Sequence, residues 1–536
     1  MTSPKQVIRL CLGLSISFAA ASAYAQTSTW NNSGTSWSSA GSWNGSVPDT
    51  NTEKGYFSSS GSPRNPNVDG IFTINGLTFA STAASYTFGG TGTLIIDSAT
   101  ASNVNTVQVN GVQTFNVNVT ATNSVGTAFQ RFVIGTSTGT MNFGAGYTFN
   151  ASTGGVTLGV TGGGSGEFNF YGDVVMGSHA VTQTSALASV YFREGSSVTS
   201  SATGGIISNS AGNMYFETDD IDLGGSSQIT MFGSTAADAA IYLTKNGLNI
   251  LEGVRIANTA SGYVRALGVD IAGSGTATWS GAIDISQNTG SDIVRTVKLT
   301  AGVGDRAVFS GNIISSSTSV FTDSLVVDGG GTVVISGTGN TYSSPTVVNA
   351  GTILLVNNAG VTSATGLNAV TVDGTLGGTG RIAPGSANGL TVNAGAVVAP
   401  GDGGIESLEI NLAGTTGSAS FIAGSTFSFD LAGLGSNDVL SFTGLTASSS
   451  DVVFNGNTVN FTNLGGLTAG VYTLFTFDQA NAYTGLLAVG TGLGSYTGNF
   501  IYNADSIQLN VVPEPGSVAL VLGGLAVIAF RLRRRA

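Results

Sequence analysis

Apolar residues in this chain come in short runs, and within most runs they fall at every second position. The segments "IFTINGLTFA" (71–80), "EFNFYGDVVMG" (167–177), "GTVVISG" (331–337) and "GSTFSFDLAG" (424–433) are examples, each bounded by Gly, Asn, Ser or Asp. Alternation with turn residues at close spacing predicts strands, and no stretch between the two ends carries a helical period.

Three of these runs repeat. "TVVNAGTILLV" begins at Thr346, "VTVDGTLGG" at Val370 and "LTVNAGAVVAP" at Leu390. Val348, Val372 and Val392 align, as do Gly351, Gly374 and Gly395, which gives a step of about 20–25 residues. Two strands and a glycine corner per step predict one coil of an all-β, elongated, right-handed parallel β-solenoid (β-helix); an array of β-sandwiches is the rival. One coil cannot bury its own apolar face, whereas stacked coils about 4.8 Å apart satisfy the backbone and build a Val/Ile/Leu interior. Gly351 and its equivalents are expected at φ > 0. Longer strands at 405–510 predict a C-terminal cap or a small antiparallel unit.

The two ends differ from this body. Lys5 and Arg9, the apolar stretch Leu10 to Ala21, and Ala23-Tyr24-Ala25 read as a secretory signal helix cleaved before Gln26. At the other end, Val518 to Phe530 is an apolar run shorter than the roughly 20 residues that span a bilayer comfortably. Arg531, Arg533, Arg534 and Arg535 follow, and positive flanks stay cytoplasmic. Pro513 and Pro515, with Glu514 between them, hold an extended peptide just outside this short transmembrane helix.

Pro-Glu-Pro, a short apolar helix and a basic cluster at the extreme C-terminus resemble a PEP-CTERM sorting signal. The resemblance implies recognition by an exosortase, cutting near Pro513-Glu514-Pro515, and display or release at the surface of a Gram-negative-type bacterium. Signal peptidase and the general secretion machinery are the further implied partners, with exopolysaccharide as a companion. The precursor is expected in the inner membrane, and the product at the cell surface or in the extracellular matrix.

A second resemblance covers the repeats. "LVVDGGGTVVISGTGNTYSSPTVVNAGTILLVNNA" (325–359) is similar to the autotransporter-associated β-strand, or passenger-associated transport, repeat through Gly330-Gly331-Thr332, Ser336-Gly337, Asn340-Thr341-Tyr342 and Thr346 to Leu354. It departs at Asp328, where the family has Lys, and at Ser343-Ser344-Pro345, where it has Gly-Gly-Thr. No export barrel follows, so the coils read as passenger-like but delivered by another route. The expected organisation is a signal peptide (1–25), a Gly/Ser/Thr-rich β region opening with tryptophans (26–320), the repeat solenoid (321–400), a C-terminal β region (401–512) and the sorting tail (513–536).

Composition narrows the chemistry. The chain has 80 glycines and 9% charged residues against a typical quarter, with 17 basic and 29 acidic side chains. A body of 26–512 keeps 11 of the former and 28 of the latter, so nucleic acid is an unsuitable partner. Cys11 is the only cysteine and lies in the signal, leaving the mature chain without disulfides. His179 is the only histidine and sits in no nucleophile motif, which excludes multi-histidine metal sites and histidine acid–base pairs. Glycoside cleavage needs only two carboxylates. The densest acidic cluster is Glu217, Asp219, Asp220 and Asp222; alternation divides it between two strand faces, as a solvated edge strand or, alternatively, a calcium site. Trp30, Trp37 and Trp43 either plug the first coil or, if exposed, grip sugar rings. No catalytic, metal or cofactor residue is assigned. The expectation is a non-catalytic exported solenoid; the alternatives are a glycan-binding adhesin and a β-helix polysaccharide-degrading enzyme.

Overall fold

The computed structural model describes residues 26–58, 62, 64–97, 105–124, 129–153, 155–161, 165–177, 180–200, 206–209, 211–224, 228–233, 238–258, 262–285, 296–315, 324–359, 362–385, 389–414 and 417–514. The expected signal helix with Ala23 and Ala25, the tail from Pro515 through Arg531, Arg533, Arg534 and Arg535, and His179 lie outside these residues. Among the described residues the only helix is the single 3-10 turn Ala40–Ser42, and none is long and apolar enough to cross a membrane.

The described chain is all-β and its strands pair overwhelmingly in parallel, each with its counterpart one coil later, as in a β-solenoid. Val156–Val160 pairs with Ala180–Gln183, Gly166–Phe170 with Ala188–Phe192, and Asp173–Met176 with Val198–Ser200. These coils therefore each contribute one strand to each of three faces. Parallel pairing also links Thr296–Ala301 to Ser324–Asp328, and Val397–Pro400 to Thr426–Leu431.

Alternating burial shows why the period is two. In Ala188–Phe192, residues 188, 190 and 192 are buried and the two between them are not. Inward positions fall in register, so like residues stack. Phe88, Phe115, Phe143, Phe170, Phe192 and Phe216 form one ladder, with neighbouring centroids 4.8 to 5.6 Å apart and planes within 18°. That separation is close to the strand spacing of a sheet. Leu243, Val269 and Ala301 continue the same column.

The repeat valines register as expected: Val327, Val348, Val372 and Val392 pair in turn. The glycines do not all play one part. Gly351 and Gly395 sit at φ +79° and +85°, but Gly374 is not in the left-handed region. The reason is corner length. Residues 349–352 and 393–396 separate the two strands in their coils, whereas only Asp373 and Gly374 do so between Val370–Val372 and Thr375–Gly378. Gly374 is required by close approach instead: a Cβ there would lie 2.4 Å from the carbonyl oxygens of both Asn349 and Thr352.

Both ends are closed by other means. Trp30, Trp37 and Trp43 are 1%, 0% and 4% exposed, so the sugar-gripping alternative fails and the plug holds. Each indole N–H finds a carbonyl, on Arg64, Pro48 and Trp37 respectively, as buried indoles require. At the C-terminal end Ser506–Pro513 lies antiparallel between Gly470–Phe477 and Tyr496–Tyr502, ending the parallel stack.

Candidate functional site

Of the predicted processing residues, Gln26 and Pro513 fall on the first and last described strands. Gln26 opens the strand Gln26–Trp30, is exposed, and donates its backbone N–H to the Thr52 oxygen at 2.9 Å. Pro513, opposite Tyr496, closes Ser506–Pro513; with no N–H to donate it suits the end of a strand. Glu514 follows, exposed, its backbone N–H on the Ser495 oxygen at 3.2 Å.

The acidic cluster does not form the expected edge strand. Gly212–Phe216 ends before it and Ile221–Asp222 begins within it, so Glu217, Asp219 and Asp220 occupy a corner. Glu217 pairs with Arg193 at 2.6 Å, and Asp219 accepts from the Asn249 N–H. Among the described residues no group of three or more His, Cys, Asp or Glu side chains is placed to hold a metal ion.

Another carboxylate stands out by environment. Asp438 is buried and accepts from the N–H groups of Glu406 and Asp430, one on each oxygen. Burial pushes its carboxyl up to about 6; the two backbone donors oppose this, while repulsion from Asp430 and Glu406 adds to it. With both oxygens engaged by backbone, Asp438 is a corner brace.

The most distinctive outer surface lies on consecutive strands Ala188–Phe192, Gly212–Phe216, Ala239–Leu243, Val264–Val269, Thr296–Ala301 and Ser324–Asp328. Their registers align two outward columns. One reads Tyr191, Tyr215, Tyr242, Gly268, Thr300, Asp328; the other reads Ser189, Asn213, Ala240, Ala266, Lys298, Val326. Tyr191 and Tyr215 stack at 4.5 Å and 13°, Tyr215 and Tyr242 at 5.9 Å and 24°. One end of the ladder is covered, because the Arg193 guanidinium lies 4.0 Å from the Tyr191 centroid. Arg193 is itself held by Asn169 Oδ1 and Glu217 Oε1.

The other end is open. Gly268 follows Tyr242 in register, and a hollow of about 480 Å³ opens there, lined by Tyr242, Ala240, Ala266, Asp270, Lys298 and Asp328 among others. Gly268 is bare because a Cβ would sit 2.0 Å from Thr300 Oγ1 and 2.4 Å from the Thr300 carbonyl oxygen. Lys298 Nζ reaches Asp328 Oδ2 at 2.7 Å. Burial raises the Asp328 carboxyl, but hydrogen bonds from Lys298, Asn349 and the Gly329 N–H outweigh it and hold the group below the usual range. Burial is the main cause raising all three tyrosine hydroxyls, so they remain neutral donors at physiological pH. Sequence reasoning missed this face, although "VYF" (190–192), "MYF" (214–216) and "IYL" (241–243) repeat an apolar–Tyr–apolar triplet.

No protein-family model matches the chain, and no curated protein matches it.

Proposed function

We propose that this protein is an exported, non-catalytic cell-surface or extracellular-matrix β-solenoid, with right-handed coils, sorted and processed by an exosortase through its C-terminal tail. Right-handedness is the hand that parallel crossovers nearly always take. The observation that supports the sorting reading is where the last strand ends: Pro513 and Glu514 are both exposed there, at the surface that a processing enzyme would approach. In this reading the signal peptide is removed before Gln26, the tail helix anchors the precursor in the inner membrane, and cutting near Pro513 frees the body.

The test is intact mass of the protein recovered from cells with an active sorting enzyme. The expected chain begins at Gln26 and ends near Pro513-Glu514-Pro515, with any attached group visible as added mass. Full-length polypeptide with Arg531 to Arg535 retained, or unchanged surface delivery after deletion of 513–536, overturns the reading. The enzyme alternative predicts turnover of an acidic or neutral glycan by the purified body; none is expected. The adhesin alternative finds support in the tyrosine face rather than in the tryptophans.

A further inference from the structure

We propose that the open face of Tyr242 is a stacking platform for a pyranose ring of a neutral polysaccharide, with Ala240 and Ala266 as floor and Asp270, Lys298 and Asp328 as hydrogen-bonding rim. This goes beyond sorting, and the sorting reading stands or falls without it.

The ladder supplies the first part of the argument. Tyr191 lies between Arg193 and Tyr215, and Tyr215 between Tyr191 and Tyr242. Tyr242 has a ring on one side; on the other it lines the hollow, where Gly268 follows in register and Thr300 Oγ1 stands over Gly268. An aromatic face is electron-rich, so the C–H groups of a sugar's apolar face meet it favourably. The neighbouring column is small at the same rungs, Ala240 and Ala266, so the empty space is broad enough to seat a ring beside Tyr242.

The rim identifies the class of ligand. Sites for small ligands combine apolar surface with a few placed polar groups. Here Asp270 is exposed at the edge, and Lys298 and Asp328 are paired with each other at 2.7 Å in the lining. A hydroxyl both donates and accepts, so one sugar can engage carboxylate and ammonium together, whereas a purely aromatic ligand would desolvate them without replacement. Charge selects among sugars. Asp238, Asp270 and Asp328 line the hollow, with Lys298 the only basic residue among the described lining residues and already paired, so a uronate is repelled. The hollow is open to solvent along the face, so a ring within a longer chain can enter.

The test is affinity electrophoresis of the mature protein in gels containing dextran, galactomannan, a β-1,3-glucan or polygalacturonate. At least one neutral polymer should retard migration and polygalacturonate should not. Tyr242→Leu, which keeps bulk but removes the π face, and Ala266→Trp, which fills the hollow, should each weaken retardation roughly tenfold or more, about 1.4 kcal/mol. Tyr191→Leu, at the covered end, should retain it. Circular dichroism and melting temperature identify any variant that fails to fold, and the remaining one of the two then decides. Absence of retardation by all three neutral polymers, stronger retardation by polygalacturonate, or wild-type retardation of a folded Tyr242→Leu or Ala266→Trp protein overturns the proposal.

Discussion

Trp43 donates its indole N–H to the main-chain oxygen of Trp37 at 2.9 Å, and the two rings meet edge to face at 4.8 Å. Trp43 also contacts Trp30 and Phe57, so one side chain ties the entry segment to the first coil. Trp43→Ala removes that tie and should cost about 3–5 kcal/mol. Because each coil leans on its neighbours, the loss should appear as early proteolysis near the N-terminus before global unfolding. Chemical denaturation with limited proteolysis checks both, and glycan retention by the folded fraction should be unchanged.

Asn340, part of the repeat motif, bridges coils from inside a corner. Its Oδ1 accepts from the Ile313 N–H at 2.7 Å, and its Nδ2 donates to the carbonyls of Gly337 and Ala364. Asn340→Ala strands buried backbone groups and should destabilise by at least the 1–3 kcal/mol of one unsatisfied group. Asn340→Asp retains the acceptor, loses the donors and buries a charge, so it should be no better. Denaturant midpoints of the two variants measure the difference.

Gly351 and Gly374 should respond unequally to alanine. A Cβ on Gly351 meets nothing within 4 Å, so only its left-handed φ is penalised, by about 1–2 kcal/mol. Gly374→Ala pushes a Cβ into two carbonyl oxygens and should fall at or above the upper end of the 1–3 kcal/mol usual for overpacking. A smaller effect at Gly374 than at Gly351 would contradict the corner geometry.

Asp438 gives the fold a pH dependence of defined sign. Its folded pKa of about 6 lies above the unfolded value near 3.9, so the native state binds the extra proton. That contribution to stability is fully present below about pH 4 and is lost as pH rises through about 6. Chemical denaturation across this window should show the corresponding downward slope, and Asp438→Asn should remove its part of it.

Some of this was legible from residue order and some was not. The valine column was, because Val348, Val372 and Val392 must reach the same interior rung and an out-of-step residue would face water. The glycine column misled at Gly374 because a two-residue corner and a four-residue corner both contain glycine, for different reasons. Trp30, Trp37 and Trp43 left open whether they plug or bind, since an indole serves either end and only burial decides. The tyrosine ladder was hidden by loop length. Tyr191, Tyr215 and Tyr242 are 24 and 27 residues apart, and a variable loop between coils blurs the period while parallel pairing restores it. The corner position of Glu217 could not be read from alternation, because charge does not mark where a strand stops.

The interior column that starts with six phenylalanines and dwindles through leucine and valine to alanine has a bearing on how such a protein can change. Segments of this rod are not spare parts. A turn spliced from the phenylalanine end beside Ala301 would bring a ring where its neighbours leave room for a methyl, and the reverse transplant would open a void. Growth or shrinkage by whole-unit duplication or deletion is therefore easiest between near-identical neighbours, and hardest where the bore changes calibre.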